Sequence, residues 1–150
     1  MKRWNMFIRK QVQYTLIIIL ILGSLMGCNQ KMDELAGTKW ELVSLNDEDL
    51  IANTAITLNF TEDYLGGEMG CNGYGGSPDS GKYHAKGNGA FTLEPPFAVT
   101  VQLCTEPEGI MEQEAAYIEA LMAASRYQVV DNHLEIENES GEMILIFHRK

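Results

Sequence analysis

Apolar and polar positions alternate along most of the chain, and the places where the alternation stops are as informative as the alternation itself. Ile56, Leu58 and Phe60 interleave with Thr57, Asn59 and Thr61, which predicts a half-buried strand. Thr38 to Leu45 also reads as a strand, but Trp40 and Leu42 fall on one face and Val43 and Leu45 on the other, so a bulge or two-sided burial is expected. Asn46 to Asp49 is an acidic turn, and Thr61 to Asp63 turns the chain again. Tyr64 to Cys71 then runs back with Leu65, Met69 and Cys71 sharing one parity, which points Cys71 inward. Gly73 to Gly81, rich in Gly and Ser, reads as a loop. Lys82 to Lys86 and Ala90 to Leu93 flank Asn88-Gly89, and Tyr127 to Val130 and Leu134 to Asn138 flank Asp131-Asn132. Both are hairpin signals, because Asn, Asp and Gly tolerate positive φ. Pro95-Pro96 stops one strand and Val99 to Cys104 forms another short extended segment. Met143 to Phe147 is apolar without alternation, as in a strand covered on both faces.

Between these strands the period changes to helical. Thr105 and Glu108 have capping-box spacing, with Pro107 in the first turn. Met111, Ala115, Ile118 and Leu121 or Met122 recur at helical spacing and predict the stripe that faces the core. The helix is expected to end near Ser125. The fold class that follows is α+β: a small antiparallel, barrel-like sheet of about eight to nine short strands with one packed helix.

Upstream, Leu16 to Leu22 is continuously apolar and follows Lys2, Arg3, Arg9 and Lys10. The run is shorter than the roughly 20 residues a spanning helix needs, and its charged start and small closing residues describe an export signal. Leu25-Met26-Gly27-Cys28 closes it and resembles a bacterial lipobox. The resemblance implies that residues 1–27 are removed, that Cys28 takes a lipid, and that residues 28–34 are a short linker to a domain at 35–150. Asn29 to Glu34, fully extended, reaches only about 20 Å, so the domain is expected to lie close to the bilayer.

Removing residues 1–27 takes away four basic and no acidic residues, leaving seven basic against 21 acidic and a net charge of −14. Such a charge repels nucleic-acid backbones, so a nucleic-acid partner is not expected. It also repels anionic membrane surfaces, so membrane attachment has to come from the lipid. Of the three cysteines, Cys28 is assigned to lipid and Cys71 and Cys104 remain. In an exported protein one reading of this pair is a disulfide, worth roughly 3–4 kcal/mol through loop closure. The other reading is two buried free thiols packed as small hydrophobes.

Residues 35–149 resemble the META domain of the heat-shock lipoprotein (HslJ) type. The resemblance is carried by Leu35-x-Gly37-Thr38-x-Trp40, Leu42, Ser44-Leu45-Asn46, Gly70-Cys71-Asn72-Gly73-Tyr74-x-Gly76, Met111-Glu112-Gln113-Glu114, and Tyr127-x-Val129 with Leu134. One segment departs. Where the family has a basic residue and a methionine before the second cysteine, this chain has Val101 and Gln102 between Thr100 and Cys104. The resemblance implies a β-rich envelope domain, connected in some members with stress tolerance, and no catalytic activity.

The residue types that could carry chemistry are few. Cys71 is a nucleophile only as an exposed, activated thiolate beside His84, His133 or His148, so an envelope thiol enzyme or hydrolase is the alternative reading. The three histidines match no metal-ligand spacing, and no cofactor is expected. Asp47-Glu48-Asp49 lacks the glycine and distant glutamate of a calcium loop and reads as a solvated turn. Gly70 to Gly76 matches neither GxxxxGK[ST] nor GxGxxG. The expected function is therefore noncatalytic: contact with another envelope protein or a small ligand, through a surface around Tyr74 and Phe97.

Overall fold

The computed structural model describes residues 34–150. The leader at 1–27, the lipidation site Cys28 and the linker up to residue 33 lie outside the described residues. Among the described residues no helix is long and apolar enough to cross a membrane.

Among the described residues nine strands and one helix follow one another: β1 (Lys39–Leu45), β2 (Thr57–Phe60), β3 (Leu65–Glu68), β4 (Gly73–Gly75), β5 (Tyr83–Ala85), β6 (Phe91–Leu93), α1 (Ile110–Met122), β7 (Ala124–Val130), β8 (His133–Asn138) and β9 (Met143–Arg149). Seven strands form one sheet in the order β4-β3-β2-β1-β9-β8-β7, and β5 and β6 form a separate hairpin. Every pairing is antiparallel.

The sheet is not closed into a barrel, which corrects the barrel-like expectation. Closure needs a hydrogen-bonded ladder between the end strands β4 and β7. The β5–β6 hairpin instead meets the large sheet on both sides through single bridges, Tyr64 with Lys82 and Ala90 with Arg126. The amide of Tyr127 donates to Gly89 O at 2.8 Å and that of Leu65 to Gly81 O at 2.8 Å, which fastens the hairpin without completing a ring.

The broken alternation in β1 is a bulge. The β1–β9 register shifts between Leu42 and Ser44, and this lets Trp40, Leu42 and Leu45 all reach the core while Val43 stays exposed. β2 buries Leu58 and Phe60, as its alternation predicts. Both hairpin turns form, with Gly89 at φ 84° and Asp131 at φ 53°. Two short pieces differ from expectation. β3 stops at Glu68, because the Met69 amide turns back to donate to Asn72 O at 2.7 Å. The glycine loop contains a strand, β4, which pairs with β3. Both strands are glycine-rich because the backbones crowd: a Cβ on Gly67 would lie 2.0 Å from Thr57 O.

The core centres on Trp40, Leu58, Phe91, Leu134, Leu145 and Phe147, all fully buried. Trp40 Nε1 donates to Thr38 Oγ1 at 2.6 Å, and the Arg149 guanidinium lies 4.5 Å from its ring centroid. Helix α1 enters this core through Tyr117, whose ring meets Phe147 edge-on at 6.5 Å and Tyr74 at 5.5 Å.

The orientation of α1 departs from the predicted stripe. Its buried residues are Ile110, Gln113, Glu114, Tyr117, Ala120 and Leu121. Of the predicted row only Leu121 belongs to that set; Met111 and Ile118 are half-buried and Ala115 is exposed. The start also differs. Thr105 and Glu108 make no capping box; Gly109, at φ 84°, is the N-cap and no side chain caps the helix. The disulfide at Cys104 holds the preceding residues beside Cys71, so Thr105 lies outside the helix.

Candidate functional site

Two polar residues sit on the buried face of α1 because two loops offer backbone groups that need partners there. Gln113 Oε1 accepts the Ile51 amide at 2.7 Å, and Gln113 Nε2 donates to Thr54 Oγ1 at 3.1 Å. One turn position further on, Glu114 Oε1 accepts the amides of Cys71 and Asn72, each at 2.7 Å, and Oε2 accepts Asn72 Nδ2 at 2.7 Å. Glu114 is 4% exposed and Asn72 2%. No buried side-chain nitrogen or oxygen among the described residues is left without a partner.

Asn72 passes the restraint across to the next segment. Its Oδ1 accepts the Gln102 amide at 2.7 Å and the Thr100 hydroxyl at 2.9 Å, while its Nδ2 donates to Gln102 O at 3.1 Å. The side-chain amide thus does for Gln102 what a neighbouring peptide group does in an antiparallel ladder. Before it, Gly75 N donates to Ala98 O at 2.9 Å and Thr100 N to Gly73 O at 3.0 Å. The Cys71–Cys104 disulfide, with Cα atoms 6.2 Å apart, closes the far end. Residues 98–104 are therefore laid along β4 and held at both ends.

The aromatic residues behind this segment are structural. Tyr74 was expected on a binding surface; it is only 4% exposed, and Phe97, half-buried, packs on it with ring centroids 5.5 Å apart. The Tyr74 hydroxyl donates to Thr57 O at 2.7 Å and lies 2.6 Å from the Tyr117 hydroxyl. Burial drives the Tyr74 pKa well above its usual value, with the neighbouring Tyr117 adding to the shift, and burial also raises that of Tyr117. Both phenols stay neutral and serve as a polar joint between α1 and the sheet. The correction follows from the strand: β4 turns Tyr74 toward the helix, where a loop would have left it in water.

Between residues 99–102 and α1 runs a groove of about 510 Å³, lined by Met69, Val99, Val101, Met111, Ala115 and Ile118 among others. The apolar row read from the sequence as core is its floor. Val101 is 96% exposed and Leu103 84%. Leu121 was already part of the predicted row; the signal for the real core face was Tyr117 four residues before it, and two polar residues on that face hid it.

The residues of the alternative chemistry are not gathered. Cys71 is bonded to Cys104. His84 lies on β5, with its Nε2 2.7 Å from Glu94 Oε1. His133 and His148 face each other across β8 and β9. Asp47 and its acidic neighbours form a turn, with Asp47 at φ 65°. No group of three metal-binding side chains occurs among the described residues.

An open antiparallel sheet packed on one helix, with a disulfide-closed loop pinned by a carboxylate on that helix, defines an α+β domain with a built-up sheet edge. The META domain family model matches residues 33–150, and the chain belongs to this family. Two structures solved by NMR share the fold. One, a protein from Burkholderia xenovorans, is 24% identical with a TM-score of 0.57, covering 77% of this chain and 83% of that one. The other is 20% identical with a TM-score of 0.55, covering 77% and 91%. No curated protein matches the chain.

Proposed function

We propose that the chain is a noncatalytic lipoprotein of the bacterial envelope, anchored through Cys28, whose META domain binds a partner close to the membrane. The observation that carries this reading is the engagement of the two residues best able to do chemistry. Cys71 is bonded to Cys104, and all of its neighbour Glu114's carboxylate oxygens accept hydrogen bonds that hold the fold. A cysteine held as a disulfide is no thiolate nucleophile, and disulfides persist outside the reducing cytosol. The resemblance to the heat-shock lipoprotein type extends the proposal to a role in stress tolerance, with another envelope protein or a small ligand as partner.

Mass spectrometry of the intact, unreduced protein from bacterial cells tests the placement. The expected mass lacks residues 1–27, carries lipid, and is two hydrogen atoms lighter for the disulfide. A full-length mass without lipid overturns the anchoring. Alkylation of the native protein tests the noncatalytic reading: label at Cys71 before reduction overturns it.

A further inference from the structure

The outer edge of residues 99–103 has backbone groups with nothing to bond. Ala98, Thr100 and Gln102 turn their polar backbone atoms inward, to Gly75, Gly73 and the Asn72 side chain. In an extended segment the residues between them face the other way. Val99, Val101 and Leu103 accordingly present their N–H and C=O groups outward, and none of these groups is bonded among the described residues. Such an edge is a template for one more strand.

Natural sheets blunt exposed edges with lysine, proline or a covering element. This edge carries Val101 and Leu103, 96% and 84% exposed, and no charge between Ala98 and Thr105. The groove at its side is floored by Met111, Ala115 and Ile118, an apolar helix row of which only Ile118 also packs partly against the core. An added strand can bond to the edge with its backbone and lower alternate side chains into that groove. A compact ligand uses the groove and leaves the backbone groups unpaired, so the edge selects extended polypeptide.

Charge decides between a second copy and a foreign segment. From Glu94 to Ser125 there are six acidic residues and no lysine or arginine. Two copies meeting at this edge bring like charges together, whereas a basic segment is attracted.

We propose that the outer edge of Val99–Leu103, with the Met111–Ala115–Ile118 groove, binds an extended peptide segment that has alternate apolar residues and basic flanks, by adding a strand to β4's side of the sheet. This deepens the binding reading above and rests on it, but not on the lipid anchor. A chain found without lipid leaves it standing.

The test titrates purified full-length protein into a fluorescein-labelled peptide of alternating valine and threonine with two lysines at each end. Saturable anisotropy is expected, together with slowed amide exchange in residues 99–103. Val101→Pro removes an outward donor and no inward bond, and Ala115→Arg fills the groove from an exposed position; each should weaken binding at least tenfold without moving the urea midpoint. Glutamate in place of the lysines should weaken it at least as much. No saturation at millimolar protein overturns the proposal, as does binding that both variants leave unchanged. A concentration-dependent dimer in sedimentation that Ala115→Arg abolishes also overturns it, in favour of a second copy at this edge.

Discussion

Glu114 and Asn72 are joined by two hydrogen bonds of 2.7 Å, one to the Asn72 backbone amide and one to its side chain. Through this pair the helix sets the position of residues 98–104, because the other end of the Asn72 amide bonds to Gln102. The carboxylate is required as an acceptor on both oxygens. Glu114→Gln places an amino group against a donor, and a buried donor left unpaired costs about 1–3 kcal/mol. Chemical unfolding should show that loss, and amide exchange should quicken at Cys71 and Asn72 first. An unchanged midpoint counts against the role given to Glu114.

Tyr74 and Tyr117 respond differently to loss of a hydroxyl. Tyr74 donates to Thr57 O, so Tyr117→Phe leaves that bond intact and should cost about 0.5–1.5 kcal/mol. Tyr74→Phe removes the partner of a fully buried hydroxyl and should cost more, about 1–3 kcal/mol. Equal losses for the two would contradict this geometry.

The same pair sets an alkaline limit on stability. Both folded pKa values are raised above the ordinary 10.0, chiefly by burial. The unfolded phenols ionise first, so the stabilisation is complete below pH 10.0 and is lost as pH rises toward the folded values. Urea midpoints followed upward through that range should fall, and fall less in Tyr117→Phe. A flat profile would remove the basis for a buried pair.

Reducing the Cys71–Cys104 bond frees a loop closed over a sequence separation of 33. Loop entropy assigns this about 3–4 kcal/mol, so unfolding with and without reductant should differ by that order. Peptide binding at the edge should weaken in parallel, because Cys104 fixes one end of residues 98–104.

Gly67 faces Thr57 O so closely that a Cβ would lie 2.0 Å from it. Gly67→Ala forces β3 away from β2 and should destabilise by at least about 1–3 kcal/mol, the range for overpacking. A thermal melt matching the parent's would show that the strands can separate freely.

Period-two alternation placed β2 and marked the irregularity in β1, and turn residues placed both hairpins, since each depends on neighbours within a few residues. Helical spacing brought Leu121 to the core correctly but turned the core face of α1 too far toward Met111 and Ala115. Apolar Met111, Ala115 and Ile118 outrank Gln113 and Glu114 on any scale of hydrophobicity. Buried polar groups are stable where they meet unpaired partners, and those partners, at Ile51 and at Cys71–Asn72, lie 62 and 43 residues away. Likewise Tyr74 reads as a loop aromatic until β3 supplies the strand that β4 pairs with.

The sequence by itself determined the α+β class, most strand positions, the family motifs and the strongly acidic balance, because these are properties of local pattern and composition. Only the tertiary structure decided that the sheet stays open, that Glu114 is an internal clasp, and that an apolar helix row faces a groove. Each of those depends on which distant backbone groups lack a partner until the chain has folded, and no local pattern records that.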